Sequence, residues 1–310
     1  MVRETVSVIV PTTGRPELIR ALDSVARQDL DAAIEVIVVV DVADMPDVIN
    51  RLPDGLAVTV VSTGGGRGGC VARNLGVDRS TGRWIAFLDD DDSWDRCKLS
   101  RQVAYAAYRS GQVAWPIVSS RVRQRAWTGN AAAITGVPAR IYDGSTGAPE
   151  YLFRGRRPGS RRATIHTSSI LVDGRLARAV RWDDRLTRHQ DWDWVIRASR
   201  HQHATLHQMP DELVTVYLGS KGSISAKPDW ASSLAWARQT LLPNGSRTYV
   251  DFLVGQTLRY SIQARDAGGV RAVLREICRT RAVPSIGPTV TGLAGLLTRS
   301  QLQDLMRWIK

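Results

Sequence analysis

The chain has 310 residues, of which 43% are hydrophobic and 23% are charged, the composition of an ordinary soluble globular protein. No apolar run reaches the roughly 18 residues of a membrane-spanning helix, which excludes a helical membrane protein. The net charge of +12 favours an anionic partner, but no recognised nucleic-acid module interleaves aromatic residues with this charge, so we expect no nucleic acid.

The first hundred residues alternate strands with helices. Apolar, β-branched runs predict buried strands at 6–11 and 34–41 and further strands at 57–63 and in "RWIAFLDDDD", while "PELIRALDSVARQ" and "CVARNLGVDRS" predict helices. This order predicts an α/β fold with an open, largely parallel sheet and helices on both faces. In such sheets ligands bind beyond the carboxyl ends of the strands, and every polar motif of this region falls there.

Four consecutive carboxylates, Asp89 to Asp92, follow the fourth of these strands. One aspartate would suffice to cap a helix, so four indicate another purpose. Hard oxygen ligands on a tight turn suit Mg²⁺ or Mn²⁺, which also holds a substrate phosphate. We therefore expect the positive partner of this run to be a metal that carries a diphosphate.

Two nearby motifs allow a functional and a structural interpretation. Asp41, at the end of the second strand, either begins a turn or accepts hydrogen bonds from a nucleoside. The stretch "TGGGRGG" is either a flexible loop or a place where a ligand approaches the backbone. Arg73, in the helix that follows, either covers the helix surface or makes a bidentate contact with phosphate.

The ordered set "VSVIVPTTGRPELIRALDSVARQ", "EVIVVVD", "GGCVARNLGVDRSTGRWIAFLDDDDSW" and "RHQDWDWVIRAS" resembles the family 2 glycosyltransferases with the GT-A fold, over roughly residues 5 to 225. The resemblance implies a nucleotide-sugar donor, a divalent metal held by a DxD motif, and inversion at the anomeric carbon. By position the resemblance also implies that the nucleoside pocket is lined by Pro11, Thr12, Thr13 and Asp41, and that Arg73 lies near the diphosphate. In the acidic run, Asp89 would contact both the donor and the metal, Asp90 would contact the donor, and Asp91 would bind the metal. Asp92 would be the extra acid that often follows the motif.

The same resemblance makes Asp191 the general base, which takes the proton of an acceptor hydroxyl as its oxygen attacks the sugar carbon. Gln190 stands where the family commonly has glutamate, and the absent charge favours ionisation of Asp191. Asp193 is the rival base, but two residues along a helix it points elsewhere. We expect sugar or acceptor contacts from the neighbouring rings, Trp192 or Trp194, and from His189.

The closing segment "VTVYLGSKGSISAK" departs from the family pattern, because Leu218 and Ser220 replace an arginine and a histidine. His207 is a candidate substitute for that histidine, and Lys221 is a candidate phosphate contact. The arginine-rich stretch 154–162 reads first as a solvated loop and second as a lid over an anionic ligand.

The predicted domains are a GT-A domain at 1–226, with a nucleotide-binding half at about 1–115 and an acceptor half at about 116–226, and a helical region at 227–310. The basic residues of the helical region leave peripheral membrane attachment open, and its helices offer an oligomer contact. The three cysteines show neither close pairing nor metal-site spacing, and no signal-peptide pattern precedes the first strand, so we expect a cytoplasmic protein.

The sequence thus predicts an inverting, metal-dependent glycosyltransferase that uses a nucleotide-sugar donor and a small-molecule or glycan acceptor. A nucleotidyltransferase on a similar sheet is one alternative, although "PTTGRPEL" lacks the glycine-rich, basic signature of that class. A non-catalytic nucleotide-sugar-binding protein is the other, although binding alone needs no base at Asp191.

Overall fold

The computed structural model describes residues 5–53, 55–110, 114–126, 133–154, 163–219 and 228–293. The chain divides into two compact units, which we call the sheet unit (1–145 and 164–221) and the helical unit (146–163 and 222–310). Residues 146–163, which the sequence analysis placed in the acceptor half, belong by their contacts to the helical unit.

The described part of the sheet unit is built on one sheet of nine strands. In chain order these are β1 (Thr5–Thr12), β2 (Ala33–Val40), β3 (Ala57–Ser62), β4 (Trp84–Phe87), β5 (Ser93–Trp94), β6 (Trp115–Ala126), β7 (Ile134–Val137), β8 (Leu171–Asp173) and β9 (Ala204–Leu218). Their spatial order is β3-β2-β1-β4-β8-β6-β9-β5, with β7 beside β6. The strands β3, β2, β1 and β4 are parallel to one another, and β8 is antiparallel to both of its neighbours, β4 and β6. β6 and β9 form a long parallel pair.

The helices that the structure describes are α1 (Leu18–Ala26), α2 (Gly69–Arg79), α3 (Lys98–Ser110), α4 (Ala148–Phe153), α5 (Gly174–Ala179), α6 (Gln190–Ala198), α7 (Trp230–Thr240), α8 (Ser246–Phe252), α9 (Arg259–Gln263), α10 (Ala267–Thr280) and α11 (Ile286–Leu293). A π-helical stretch, Leu253–Leu258, joins α8 to α9.

Both faces of β1, of β4 and of the second half of β2 are buried, as their unbroken apolar sequences require, whereas the edge strand β3 is more exposed. Residues 6 to 10 of β1 have no exposed surface. Gly76 of α2 lets that helix approach the strand closely, because a Cβ atom there would lie 2.4 Å from Cγ2 of Ile9. The parallel register brings the carboxyl ends of β1, β2, β3 and β4 to one edge of the sheet, and the site lies at that edge.

The structure confirms the predicted α/β class and the predicted strands and helices of the first hundred residues. The sequence analysis did not predict β6, whose buried positions include Ser119 and Ser120, nor α11, whose glycines and proline disfavour a helix. Within the predicted helical region, "SQLQDLMRWI" also has apolar residues at helical spacing, but this segment lies outside the described residues.

One lysine lies entirely inside the sheet unit. Lys98, the first residue of α3, has no exposed surface. Its Nζ donates to Oε1 of Gln102 at 2.7 Å and sits 3.9 Å from the centre of the Trp94 ring. Burial lowers the pKa of this amine well below its usual value, so a neutral amine is favoured.

The described helical unit packs α4, α7, α8 and α10 around an aromatic centre. The ring of Phe153 meets those of Trp236 and Phe252 edge-on, at 6.0 and 5.0 Å between centroids. Glu276 of α10 accepts hydrogen bonds from Arg238 and from the Tyr249 hydroxyl. Within the described ranges, we find no helix whose length and apolar character would let it traverse a bilayer.

Candidate active site

The four acids form a tight turn between β4 and β5, in which the N–H of Asp92 donates to the carbonyl of Asp89 at 3.0 Å. Their exposure alternates. The side chains of Asp89 and Asp91 are 34% and 16% exposed, whereas Asp90 and Asp92 are buried. Two carboxylates are therefore available at the sheet edge and two belong to the interior.

Arginine 15, in the loop after β1, binds two of these acids. Its Nη2 donates to Asp90 at very short range, its Nε donates to the same carboxylate at 3.3 Å, and its Nη1 donates to Asp91 at 3.1 Å. The hydroxyl of Thr12 donates to Asp90 at 2.6 Å. Burial raises the pKa of Asp90 despite these partners. Asp90 and Thr12 thus connect the end of β1 and its loop to the acidic turn. The sequence instead predicts that these two residues contact the donor.

A second arginine, Arg73 of α2, joins the acidic turn to α6. Its Nη2 donates to Oδ1 of Asp89 at 2.7 Å, and its Nη1 donates to Oε1 of Gln190 at 3.0 Å. The guanidinium lies over the Trp182 ring, 4.8 Å from its centre, and its side chain is 9% exposed. Three of the four acids therefore have an arginine as their positive partner in this structure, where the sequence analysis expected a metal.

The fourth acid, Asp92, is bound by a hydroxyl and a backbone N–H, and its surroundings favour the neutral form. Its carboxyl accepts from the hydroxyl of Ser168 at 2.6 Å and from the N–H of Tyr217 at 3.2 Å. Burial, reinforced by repulsion from Asp89 and Asp91, raises its pKa well above the usual value. Arg20 completes this region: it donates to the carbonyl of Asp91 at 2.6 Å and covers the Tyr217 ring at 3.9 Å.

Asp41 organises the glycine-rich loop. One carboxylate oxygen accepts from the Thr63 hydroxyl and from the N–H of Arg67 at 2.8 Å, and the other accepts from the N–H of Gly68 at 2.7 Å. The turn interpretation therefore has direct support. Of the other residues expected around a nucleoside, Pro11 is the next-to-last residue of β1 and is half-buried, and Thr13 is exposed just beyond the strand.

Asp191 lies in the first turn of α6, as predicted, and is half-buried. The helix begins after His189, whose backbone is left-handed with φ of 60°, a conformation that is uncommon outside glycine. Burial raises the pKa of Asp191 to about 6, against the lowering effects of the Trp192 N–H at 2.9 Å and of the nearby Arg73 charge. Burial therefore outweighs the benefit of the missing glutamate charge at position 190.

The two tryptophans of α6 have different environments. Trp192 is half-buried and stacks on His189, with ring centroids 4.9 Å apart. Trp194 has no exposed surface, stacks on Trp182 at 5.2 Å and donates its indole N–H to the Val180 carbonyl. Trp194 is therefore a core residue, and we remove it from the expected sugar contacts.

Asp193 is buried and bound by Arg197, one turn along α6, at 2.7 Å. His207 is not a substitute for the family histidine. It contacts Tyr105 of α3 and lies ten residues before Tyr217 in β9, roughly 30 Å away along an extended strand. Ser220, Lys221 and residues 155–162 lie outside the described residues.

The structure thus brings Asp89, Asp91, Arg73 and Asp191 to the same edge of the sheet unit. Sequence reasoning missed Arg15, Arg20 and Ser168; the one available signal was the position of Arg15 in the loop after β1. Across the described ranges, no three or more histidine, cysteine, aspartate or glutamate side chains are arranged to hold a metal ion.

Comparison with known proteins gives matches over both the sequence and the fold. The sequence profile of glycosyl transferase family 2 matches residues 7–160, about half of the chain. The chain is also similar to the amylovoran biosynthesis glycosyltransferase AmsB of Erwinia amylovora, with 29% identity over 201 residues, 63% of this chain and 64% of that protein. The chain therefore covers slightly less than two thirds of the length of this relative.

Two solved structures share the fold at low identity. S. aureus TarS in complex with UDP-GlcNAc aligns with a TM-score of 0.59 and 14% identity, over 94% of this chain and 91% of that one. Mannosyltransferase PcManGT of Pyrobaculum calidifontis, in complex with GDP-Man and Mn²⁺, aligns with a TM-score of 0.51 and 18% identity, over 100% of this chain and 80% of that one. The expected GT-A fold is confirmed, and the chain belongs to glycosyltransferase family 2.

Proposed function

We propose that the protein is an inverting glycosyltransferase that moves a sugar from a nucleoside-diphosphate sugar to an acceptor hydroxyl. One observation carries the proposal: the Arg73 guanidinium binds both Asp89 and Gln190. A donor diphosphate near Arg73 would then lie between the acidic turn and the start of α6, where Asp191 is the next residue. TarS with UDP-GlcNAc and PcManGT with GDP-Man support a nucleotide-sugar donor, and AmsB, which is named a glycosyltransferase, supports sugar transfer.

In this proposal Asp191 is the general base. Its carboxylate takes the proton of the acceptor hydroxyl, the hydroxyl oxygen forms a bond to the anomeric carbon, and the bond from that carbon to the diphosphate oxygen breaks. The nucleoside diphosphate leaves with the electron pair. A single in-line displacement inverts the configuration. A base with a pKa of about 6 is mostly ionised at neutral pH and still accepts a proton readily.

The donor set is compatible with a divalent cation, Mg²⁺ or Mn²⁺. Asp89 and Asp91 are the two exposed acids of the turn and are separated by one residue, as in a DxD motif. Mg²⁺ is commonly bound through one or two carboxylates together with substrate phosphates, so two acids are sufficient. A bound cation would neutralise charge on the leaving diphosphate. Asp91, with Asp89, would hold it, and Arg15 would have to release its Asp91 contact.

The remaining expectations fit the same proposal. Asp41 would shape the loop that approaches the donor, and Trp192 with His189 would offer a ring surface to a sugar or acceptor. We also propose a reducing, cytoplasmic compartment, since all three cysteines are free thiols.

The decisive experiment separates binding from transfer in Asp191→Asn. A general base matters only when the acceptor attacks, so the variant is expected to bind the nucleotide sugar normally and to lose on the order of 10²-fold or more in transfer rate. Calorimetry measures the first quantity, and release of nucleoside diphosphate measures the second.

Asp193→Asn is the matched control, because it makes the same chemical change two residues away on a carboxylate that Arg197 binds. Its transfer rate per folded molecule is expected to stay close to that of the parent. An Asp191→Asn enzyme with the parent rate would contradict the proposal. So would release of inorganic pyrophosphate, which would indicate nucleotidyl transfer, or a product with retained anomeric configuration in its NMR spectrum.

A further inference from the structure

The helix α11 exposes its large apolar side chains and buries its small ones. Ile286, Val290 and Leu293 are 71%, 50% and 52% exposed, and their spacing of four and three residues places them on one face. Gly292, by contrast, is buried so closely against the helical unit that a Cβ atom would lie 2.2 Å from the carbonyl oxygen of Val254. Val283, just before the helix, is 76% exposed. This reverses the usual pattern of a surface helix.

The preceding helix, α10, adds positive charge. Arg271, Arg275 and Arg279 recur every four residues and are all exposed, so they form one stripe. Leu274, 46% exposed, lies on the same side as Arg271 and Arg275. Val273 is completely buried on the opposite side. Arg281 follows the helix and is exposed. We call the exposed side chains of residues 271–293 the 271–293 face.

Among the described acids of this region, Glu276 interacts with one member of the stripe, Arg279, and the other two members are not neutralised. Residues 228–293 contain eight arginines and four acids. Each acid has an internal contact: Asp229 and Asp266 cap helices, Asp251 accepts from Ser285, and Glu276 accepts from Arg238. Over the described parts of the chain, no carboxylate forms an ion pair with Arg271, Arg275 or Arg281.

We propose that the 271–293 face docks on the surface of an anionic phospholipid bilayer. On α10 the exposed Leu274 lies next to exposed arginines, and α11, which begins after five further residues, carries the exposed apolar side chains. Interfacial helices present both kinds of group to a membrane: the apolar groups enter the boundary between headgroups and acyl chains, and the arginines bind lipid phosphates. A second copy of the chain would bring the same arginines against one another. The 294–310 segment also has an excess of basic residues over acids, so neither partner matches the charge. The proposal does not depend on the transfer reaction.

The test is sedimentation of the full-length protein with vesicles of phosphatidylcholine alone and of phosphatidylcholine containing phosphatidylglycerol. We expect strong binding only to the anionic vesicles, and we expect it to weaken as salt is raised. The variant R271Q/R275Q/R279Q is expected to partition about 100-fold more weakly, since each basic residue near a charged membrane contributes roughly a factor of five.

The matched control is R51Q/R79Q/R96Q, which removes the same charge from exposed arginines of the sheet unit. It is expected to bind nearly as well as the parent. A third variant, I286S/V290S/L293S, is expected to lose at least about tenfold in vesicle binding with its melting temperature unchanged, because these side chains are exposed.

Three results would overturn the proposal. They are failure of the parent protein to bind anionic vesicles, equal losses in the two arginine triples, and unchanged vesicle binding by the serine triple. A parent dimer in analytical ultracentrifugation that the serine triple converts to a monomer would assign the face to a second copy instead.

Discussion

Replacing Gln190 with glutamate is expected to raise the pKa of Asp191 and to move the acidic limb of the pH–rate profile upward. In the parent protein burial already holds that pKa at about 6. A carboxylate at position 190 would bring a negative charge next to Asp191 while accepting the same Nη1 of Arg73 that Gln190 now accepts. The substitution is nearly isosteric; it adds a negative charge and also removes the Gln190 amide that donates to the Leu186 carbonyl at 2.8 Å.

The size of the shift follows from Coulomb's law. Two like charges roughly 6 Å apart at an effective dielectric constant of about 20 repel by about 2.8 kcal/mol, or about two pKa units. The ion pair of the new carboxylate with Arg73 would cancel about half of this, which leaves about one unit. If the acidic limb lies near pH 7 in the variant and near pH 6 in the parent, the transfer rate of the variant is about threefold lower than that of the parent at pH 6.5. At pH 8.5 the two rates are equal.

The assay is the transfer rate at saturating donor and acceptor from pH 5 to 8.5, followed by release of nucleoside diphosphate. The parent rate is expected to fall twofold at pH 6 and about tenfold at pH 5, because the base form of Asp191 is lost as pH falls through its pKa. The residual rate of Asp191→Asn is expected to lack this limb. An unmoved limb in Gln190→Glu, or the parent limb persisting in Asp191→Asn, would refute the assignment of Asp191 as the titrating base.

Asp91→Asn is expected to abolish the metal-dependent part of nucleoside diphosphate binding measured by calorimetry, with the melting temperature little changed; full metal dependence in the variant would remove Asp91 from the donor set. The pKa of Asp92 is higher in the folded state than in the unfolded state, where the carboxyl titrates at about pH 4. The folded state therefore loses stability as the pH rises from about 4 to the folded-state pKa. We therefore expect Asp92→Asn to be more stable than the parent in urea at pH 7 and to lose that advantage at pH 4, and equal stability at both pH values would contradict the neutral state of Asp92. Trp194→Ala is expected to cost about 3–5 kcal/mol of unfolding free energy, because it empties a completely buried ring position, while weakened ligand binding at unchanged stability would mean that Trp194 is a contact after all.

Much of the parallel half of the sheet could be predicted from the sequence because its strands are continuous apolar runs. β1 and β2 are buried on both faces, and such a run has few alternatives to a central strand. β6 carries no such signal, since its buried positions include two serines and its more exposed end carries arginines. Its identity as a strand depends on twelve residues of pairing with β9, more than 80 positions away in the sequence.

The candidate site was predictable in its acids and much less so in its cations. A run of four aspartates shows that something must balance the charge, but it does not show which two carboxylates face inward. That alternation depends on the end of β1 and the loop after it, which supply Thr12 and Arg15, and on Ser168, which lies far from both in the sequence. The same limit applies to the tryptophans of α6: Trp192 and Trp194 are two residues apart, and the burial of Trp194 depends on contacts with Trp182, Phe87 and the Val180 carbonyl.

The buried amine of Lys98 gives the protein a built-in reporter of opening. The chain has only four lysines, and this one has no surface that an acylating reagent could reach in the folded state. Burial lowers the pKa of this amine only while the interior is closed; once the interior opens to solvent, the amine has the reactivity of an ordinary lysine, so an acylating reagent modifies it only in the open state. Mass-spectrometric mapping of the peptide that contains Lys98 would therefore follow exposure of the sheet interior around Trp94 and Gln102, without any engineered label.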